Sequence, residues 1–162
     1  MFVRLAQPTD FEAILALNVE FVQFLSPLDS AKLAQLASQS ALFLVIEEAG
    51  AVIAFLLALR EGKSYKSPNY TWFASRYPQF LYVDRIVVSQ SVKAKGAGSL
   101  LYKELFSIAA ITGVRRIACE IDFDPPNAAS KRFHPRFGFK EVGQQLGAGG
   151  CKRVSLQMAE AG

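Results

Sequence analysis

Histidine is almost missing from this chain: 162 residues contain one, His134, alongside two cysteines, Cys119 and Cys151. Two cysteines without C-x-x-C spacing argue against a disulfide framework, and with a single histidine they leave no donor set for a dedicated metal site. Both cysteines read as small buried hydrophobes. No uninterrupted apolar run reaches the roughly 18 residues of a membrane-spanning helix. Met1-Phe2-Val3-Arg4 leads into a strand pattern and not into a signal-peptide core, so a cytoplasmic location is expected. The chain also lacks internal repeats and linker composition, and a single domain over residues 1–162 is expected. Charge of one sign is scarce as well. The excess of 18 Lys and Arg over 14 Asp and Glu is only +4; it is dispersed, and no recognition-helix or zinc-finger signature accompanies it. Nucleic acid and membrane are therefore not expected partners, and a few lysines around a phosphate-bearing ligand account for the charge.

What the chain does have is a 51% hydrophobic content arranged in alternating periods. Phe2 to Leu5 reads as a strand. Thr9 followed by Glu12 has capping-box spacing, and the apolar positions from Phe11 to Phe24 predict a largely helical segment up to about Leu25, stopped by Ser26-Pro27. Asp29 or Ser30 can cap a helix over 31–37. Two β runs, 41–47 and 51–59, are joined by the hairpin connection Glu48-Ala49-Gly50. Gly62 to Phe80 is a connection of nearly twenty residues, long for a compact domain, and its aromatics argue against disorder. A strand over 81–88 feeds a helix from about Gly96 to Thr112 with Gly113 as its C-terminal cap. A strand over 115–123, a short helix over 127–133 and strands over about 137–144 and 152–158 complete a mixed α/β sandwich.

The most informative stretch is Leu81 to Leu101: a β-forming run, a basic connector, then Gly96 and Gly98 opening an apolar-periodic helix. Glycine lacks a Cβ, so the backbone there can approach a ligand closely, and the first helical turn presents N–H groups without intrahelical partners. Those donors, the positive end of the helix dipole, Lys93 and Lys95 favour an anion at one place. The spacing fits neither the Walker loop nor the dinucleotide G-x-G-x-x-G.

Lys93-Ala94-Lys95-Gly96-Ala97-Gly98 after the strand ending at Val88 resembles the acyl-CoA-binding motif of the GNAT superfamily of N-acetyltransferases, Gln/Arg-x-x-Gly-x-Gly/Ala. A second block, Asn127-Ala-Ala-Ser130-Lys-Arg-Phe133-His134-Pro-Arg-Phe-Gly138-Phe139, resembles that family's downstream Asn-x-x-Ala/Ser-x-x-Leu/Phe-Tyr-x-x-x-Gly-Phe. The Tyr-Val-Asp-Arg strand at 82–85 and Phe133-His134 resemble an uncharacterised bacterial subgroup. The resemblance implies a single-domain GNAT-like fold: a mixed, mostly antiparallel sheet with a central splay, flanked by helices. It further implies acetyl-CoA or coenzyme A as cofactor. The backbone of Ile86, Val87 and Val88 would hold the acetyl carbonyl and pantetheine. Residues Lys93, Ala94, Lys95, Gly96, Ala97, Gly98 and Ser99 would take the pyrophosphate, and Asn127, Ser130 and Phe133 would lie along the thioester arm. Two positions depart from the family. Lys93 stands where Gln or Arg is usual, keeping charge without the planar fork, and His134 stands where a tyrosine thought to protonate the departing thiolate is usual.

Transfer of an acetyl group to an amine requires a neutral amine, a polarised carbonyl and a stabilised thiolate. Strand alternation puts Tyr82, Asp84, Ile86 and Val88 on one face, so Asp84 is a candidate base whose desolvation would raise its pKa; Glu120 on the next strand is the alternative. A pairing of Asp84 with Arg85, or with a lysine at a sheet end, and a solvated Glu120 are the competing structural readings. His134 is either an acid toward the thiolate or a helix-end residue bonded to backbone, where Pro135 predicts the helix to end or kink. The aromatic segment reads as a lid, with Tyr65, Asn69, Tyr70, Trp72 and Phe73, together with Tyr82, lining an acceptor pocket. Its alternatives are a hydrophobic cluster tying the loop down and a homodimer contact. The expected activity is N-acetylation of a small-molecule amine by direct attack in a ternary complex; the competing reading is a non-catalytic acyl-CoA sensor.

Overall fold

The computed structural model describes residues 1–124, 126–146, 150 and 152–162, with Lys93 and Ala94 described in backbone only. Cys151 lies outside the described residues. Among the described residues seven strands form one sheet in the order β1-β2-β3-β4-β5-β7-β6. They are β1 (Phe2–Leu5), β2 (Leu42–Glu48), β3 (Ala51–Arg60), β4 (Leu81–Val88), β5 (Arg116–Asp124), β6 (Lys140–Leu146) and β7 (Arg153–Glu160). Among the described residues five α-helices accompany them: α1 (Phe11–Val19), α2 (Ser30–Gln39), α3 (Pro68–Ala74), α4 (Ala97–Ile111) and α5 (Ala128–Phe133). Strands β1–β2, β2–β3, β5–β7 and β6–β7 pair antiparallel, and β4 pairs with β5 in parallel. This is the mixed α/β arrangement expected from the pattern and the mostly antiparallel sheet that the resemblance implied. Among the described residues no helix is long and apolar enough to cross a membrane.

The contacts divide the chain into two compact units. The first comprises Met1–Leu59 and Val83–Leu105. Its interior is built from Ile14, Leu33, Leu36, Val45, Phe55 and Leu57, all essentially inaccessible. The β2–β3 hairpin turns through Ala49 and Gly50, both at positive φ, the conformation that matches strand twist in a two-residue connection. The N-terminal end of the first helical segment is not capped by Thr9 and Glu12 as expected. Asp10 instead reaches back to the N–H of Gln7 at 2.8 Å, behind Pro8 in a 3-10 turn. Arg4 binds the same carboxylate at 2.8 and 2.9 Å, and the Arg4 bond holds Asp10 below the usual carboxylate range.

Helix α1 also ends six residues earlier than its periodicity predicts, at Val19 rather than Leu25. The cause is tertiary and lies on β4. Arg85, 3% exposed, donates to Asn18 Oδ1 (3.0 Å), to the carbonyl of Ser26 (2.6 Å) and to Ser26 Oγ (2.7 Å). After Val19 the backbone tightens into i−3 turns such as Val22 N–H to Val19 O and Phe24 N–H to Phe21 O. Arg85 clamps the far end of these turns, at Ser26, to the last turn of α1. Helix α2 begins as expected, with Asp29 accepting from the N–H of Lys32 at 2.8 Å.

The second unit comprises Arg60–Tyr82 and Phe106–Gly162. Residues 62–80, expected as an irregular connection, contain α3, started by Pro68 at its first turn. Seven residues are too few to display a helical period, which hid the helix. Tyr70 and Phe73 project from α3 into a cluster with Phe80 and Tyr82, ring centroids 5.6 to 6.3 Å apart. Trp72 lies against β6 where the strand bulges between Glu141 and Gly143. A Cβ at position 143 would overlap Cζ2 of Trp72 and lie 3.0 Å from its Cη2, so the missing side chain is the seat of the indole. Gly143→Ala is expected to destabilise the protein by about 1–3 kcal/mol, read as a fall in urea midpoint that Trp72→Leu relieves. An unchanged midpoint would mean the indole does not use this seat.

Candidate active site

The connector between β4 and α4 forms a 3-10 turn over Gln90–Lys95, capped by Gly96 at φ 80° and ψ 19°. A Cβ at Gly96 would meet nothing within 4 Å, so glycine is needed here for its left-handed backbone and leaves open space above it. Val92 and Ala97 are buried on either side and anchor the turn. The first bond across the start of α4 runs from Leu100 N–H to Gly96 O at 3.1 Å, so the N–H groups of Ala97, Gly98 and Ser99 precede it and point out of the helix end. That is a donor set matched to an anion, and a pyrophosphate fits its chemistry. Lys95 makes an exposed ion pair with Glu48 at 3.4 Å; the side chains of Lys93 and Ala94 lie outside the described residues. On β4, Ile86 and Val88 are half-buried, Val87 is buried, and the strand continues into Ser89, whose N–H donates to Ile53 O at 2.9 Å.

Asp84 does not stand among apolar neighbours alone. Its carboxylate, 5% exposed, pairs at 3.1 Å with Arg85, the structural pairing that competed with a base role. Glu120 is differently placed: half-buried on β5, it accepts the hydroxyl proton of fully buried Tyr82 at 2.5 Å. Tyr82 and Glu120 are brought together because β4 and β5 pair in parallel with Tyr82 opposite Ala118, one residue pair before Glu120 on the same face. Two residues further on that face is Asp122, a carboxylate absent from the sequence-based candidates. It is buried, and burial pushes its carboxyl up while Lys152, 3.3 Å away, opposes the shift. The signal available in the sequence was the i, i+2 spacing of the two carboxylates on β5.

Of the residues expected to line an acceptor pocket, Tyr70, Phe73 and Tyr82 are core. The Tyr70 hydroxyl accepts from Lys63 N–H at 3.0 Å and donates to Arg60 O at 2.7 Å. These three form the cluster that was the alternative to a lid. Tyr65, Asn69 and Trp72 are partly exposed. Tyr65 packs on Tyr70 with centroids 5.5 Å apart, Arg76 lies 4.0 Å over the Trp72 ring, and Asn69 Oδ1 accepts from Gln145 Nε2 at 2.8 Å.

The second block forms α5 and a 3-10 turn over His134–Phe137. Asn127 caps α5, its Oδ1 accepting from Ser130 N–H at 3.2 Å, and its own N–H donates to Asp122 O at 2.9 Å. The α-helix stops at Phe133 as Pro135 suggested, yet His134 keeps helical angles, because Pro135 is the second residue of the tighter turn, in its first turn, where no N–H is needed. Phe133 packs edge-on against His134 and lies 5.1 Å from Phe137, centroid to centroid.

His134 is 3% exposed. Burial pushes its pKa below the usual histidine value, partly offset by its bond to Ser130. Nδ1 lies 2.9 Å from the Ser130 carbonyl, so the neutral ring carries its proton on Nδ1 and a lone pair on Nε2. A histidine with a depressed folded pKa binds fewer protons than in the unfolded chain, so its contribution to stability falls as pH drops below about 6.5. The stability difference between wild type and His134→Gln is therefore expected to shrink from pH 7.5 to pH 5, measured by urea unfolding. A difference that grows on acidification would contradict the neutral assignment.

Comparison with known proteins bears on the whole arrangement. The model of the Acetyltransferase (GNAT) family matches residues 11–139. A phosphinothricin N-acetyltransferase of Streptomyces coelicolor is 41% identical over 58 residues, 36% of this chain; the chain spans a third of that relative's length. An N-acetyltransferase structure from Staphylococcus aureus Mu50 superposes with a TM-score of 0.75 at 23% identity, covering 99% of this chain and 98% of that one. The structure of yncA from Salmonella typhimurium with its cofactor acetyl-CoA superposes with a TM-score of 0.72 at 21% identity, covering 100% and 94%.

Proposed function

The chain belongs to the acetyltransferase (GNAT) family, and from that premise we propose that it transfers the acetyl group of acetyl-CoA to the primary amine of a small molecule by direct attack in a ternary complex. The family assignment makes it an acyl-CoA-dependent N-acetyltransferase. When bound, acetyl-CoA supplies a thioester carbonyl as electrophile and a thiolate as leaving group. The observation that carries the reading is the left-handed turn at Gly96 opening α4, whose donors suit the pyrophosphate. In this proposal the N–H groups of Ala97, Gly98 and Ser99 bind the phosphates, Lys93 and Lys95 add charge, and the backbone of Ile86 to Val88 polarises the carbonyl. Asn127, Ser130 and Phe133 lie along the thioester arm.

Glu120 is the base in this proposal, taking a proton from the acceptor ammonium directly or through water, with the Tyr82 hydroxyl fixing the carboxylate. Asp84 is assigned to structure by its buried pair with Arg85. The neutral His134, its Nδ1 proton held by Ser130, serves to position α5, and the thiolate takes its proton from solvent or from the acceptor nitrogen as that nitrogen becomes the amide. Tyr65, Asn69 and Trp72 border the acceptor, and a cytoplasmic setting without nucleic-acid or membrane partners suits it. The relative named for phosphinothricin supports a small acceptor.

Initial rates measured against both substrates test the mechanism. Intersecting double-reciprocal lines are expected, and parallel lines would indicate a covalent acetyl-enzyme instead. The histidine in place of the family's tyrosine favours a second reading, a sensor that binds acetyl-CoA without turnover; tight binding with no amine-dependent thiol release would establish it.

A further inference from the structure

Strand register gathers two carboxylates on one face of the second unit. Glu120 and Asp122 alternate onto the same side of β5; their partners on β7 are Leu156 and Val154, whose own partners on β6 are Gly143 and Gln145. Two residues along a strand separate the carboxylates by roughly 7 Å. Glu120 is half-buried and the Asp122 side chain only 10% exposed, so each lies within the other's field, and like charges disfavour ionisation of both. Lys152 answers this from the start of β7, its Nζ 3.3 Å from Asp122 Oδ2. The Asp122 carbonyl also accepts from Asn127 N–H at 2.9 Å, which ties the same strand end to the cap of α5.

The remaining charged and titratable groups of this face are placed differently. The Tyr82 hydroxyl donates to Glu120. Arg116, four residues back on β5, lies over the Tyr77 ring at 5.4 Å, and Lys140 stands in the row of Met158 and Ala118. From α3, Arg76 covers the ring of Trp72, the indole seated at Gly143 in the row of Glu120. Among the described residues, Lys152 is the cation that an ion pair ties to the carboxylate beside Glu120.

We propose that Lys152 is a positioning residue for acetyl transfer, acting through Asp122: it neutralises that carboxylate, so that Glu120 meets no second net negative charge and stays an ionised base at neutral pH. The inference rests on the N-acetyltransferase reading above, with Glu120 as base, and adds to it the group that sets the working pH. Removing Lys152 leaves two neighbouring carboxylates and makes Glu120 easier to protonate. Removing the Asp122 charge instead leaves an unopposed ammonium and makes Glu120 harder to protonate. The two effects have opposite signs.

The test is kcat/KM for one amine at saturating acetyl-CoA, followed from acid to alkaline pH in the wild type, Lys152→Met, Asp122→Asn and the double variant. Titration of the amine is common to all four, so differences between the profiles belong to the protein. Lys152→Met is expected to move the acidic limb up by roughly half to one pH unit, the Coulomb effect of one charge about 7–10 Å away in a partly buried site. Asp122→Asn should move it down by a similar amount, and the double variant should return it to the wild-type position. Lys152→Arg, which keeps the charge, should leave it there. NMR titration of isotope-labelled Glu120 reads the same order in the protein without substrates. Single variants that shift the limb in the same direction, or that leave it in place, would overturn the proposal, since lost packing has no reason to act with opposite signs. Absence of turnover with every amine would overturn the transferase reading, while the NMR shifts still decide the coupling of Lys152 and Asp122 to Glu120.

Discussion

Replacing Arg85 by methionine is expected to lower the unfolding free energy by about 3–5 kcal/mol, the range for breaking a buried ion pair from one side. The change strips donors from the Asp84 carboxylate, Asn18 Oδ1, and the Ser26 carbonyl and hydroxyl. Burial makes each lost bond costly, the one to the carboxylate most of all, although the Ser26 carbonyl keeps its bond from Asn18 Nδ2 at 3.2 Å. Asp84→Asn combined with Arg85→Met should be less destabilised than Arg85→Met alone, because the buried negative charge that Arg85 balanced is removed with it. Urea unfolding of the two variants checks both statements. A loss below about 1 kcal/mol for the single variant, or a double variant worse than the single one, would show that the pair is not the anchor of the segment between α1 and α2. The same pair explains why Asp84 is a poor candidate base: removing its proton acceptor role would not be separable from removing the anchor.

Glu120→Gln is expected to reduce kcat with a good amine acceptor by roughly 10²–10⁴-fold, the usual worth of a positioned general base. The substitution keeps size and can still accept from the Tyr82 hydroxyl, so folding should survive it and the KM for acetyl-CoA should hold. The lost rate should return in part at high pH, where the amine reaches its neutral form without help. Tyr82→Phe should cost less, since it frees the carboxylate without removing it. A Glu120→Gln variant within about threefold of wild type at neutral pH would transfer the base role elsewhere on β5, with Asp122 the next group to test.

The features legible in sequence are those written in local periods and local spacing. The glycine pair after a β run located the turn at Gly96, and the structure gives that residue the positive φ that only glycine adopts freely. The hairpin at Glu48-Ala49-Gly50, the Asp29 cap and the Gly113 cap were likewise local decisions. The early end of α1 was not, because it depends on Arg85 from a strand sixty-seven residues away from Asn18. Helix α3 was too short to show a period, and its rings are held by β4 and one another. Tyr70, Phe73 and Tyr82 were read as pocket lining because aromatics with polar tips look alike in sequence whether they face a ligand or a core. The Tyr82–Glu120 bond depends on strand register, and Asp122 was missed for the same reason: alternation names a face only once the neighbouring strands are known.

The most direct test of the central claim is to incubate the protein with acetyl-CoA and a panel of small primary amines and to monitor thiol release and the N-acetylated product together. Thiol release that depends on the amine, stoichiometric with N-acetylated product and weakened in Gly96→Val through a raised acetyl-CoA KM, is the predicted result. Acetyl-CoA binding without amine-dependent release, or release without an acetylated amine, would contradict it.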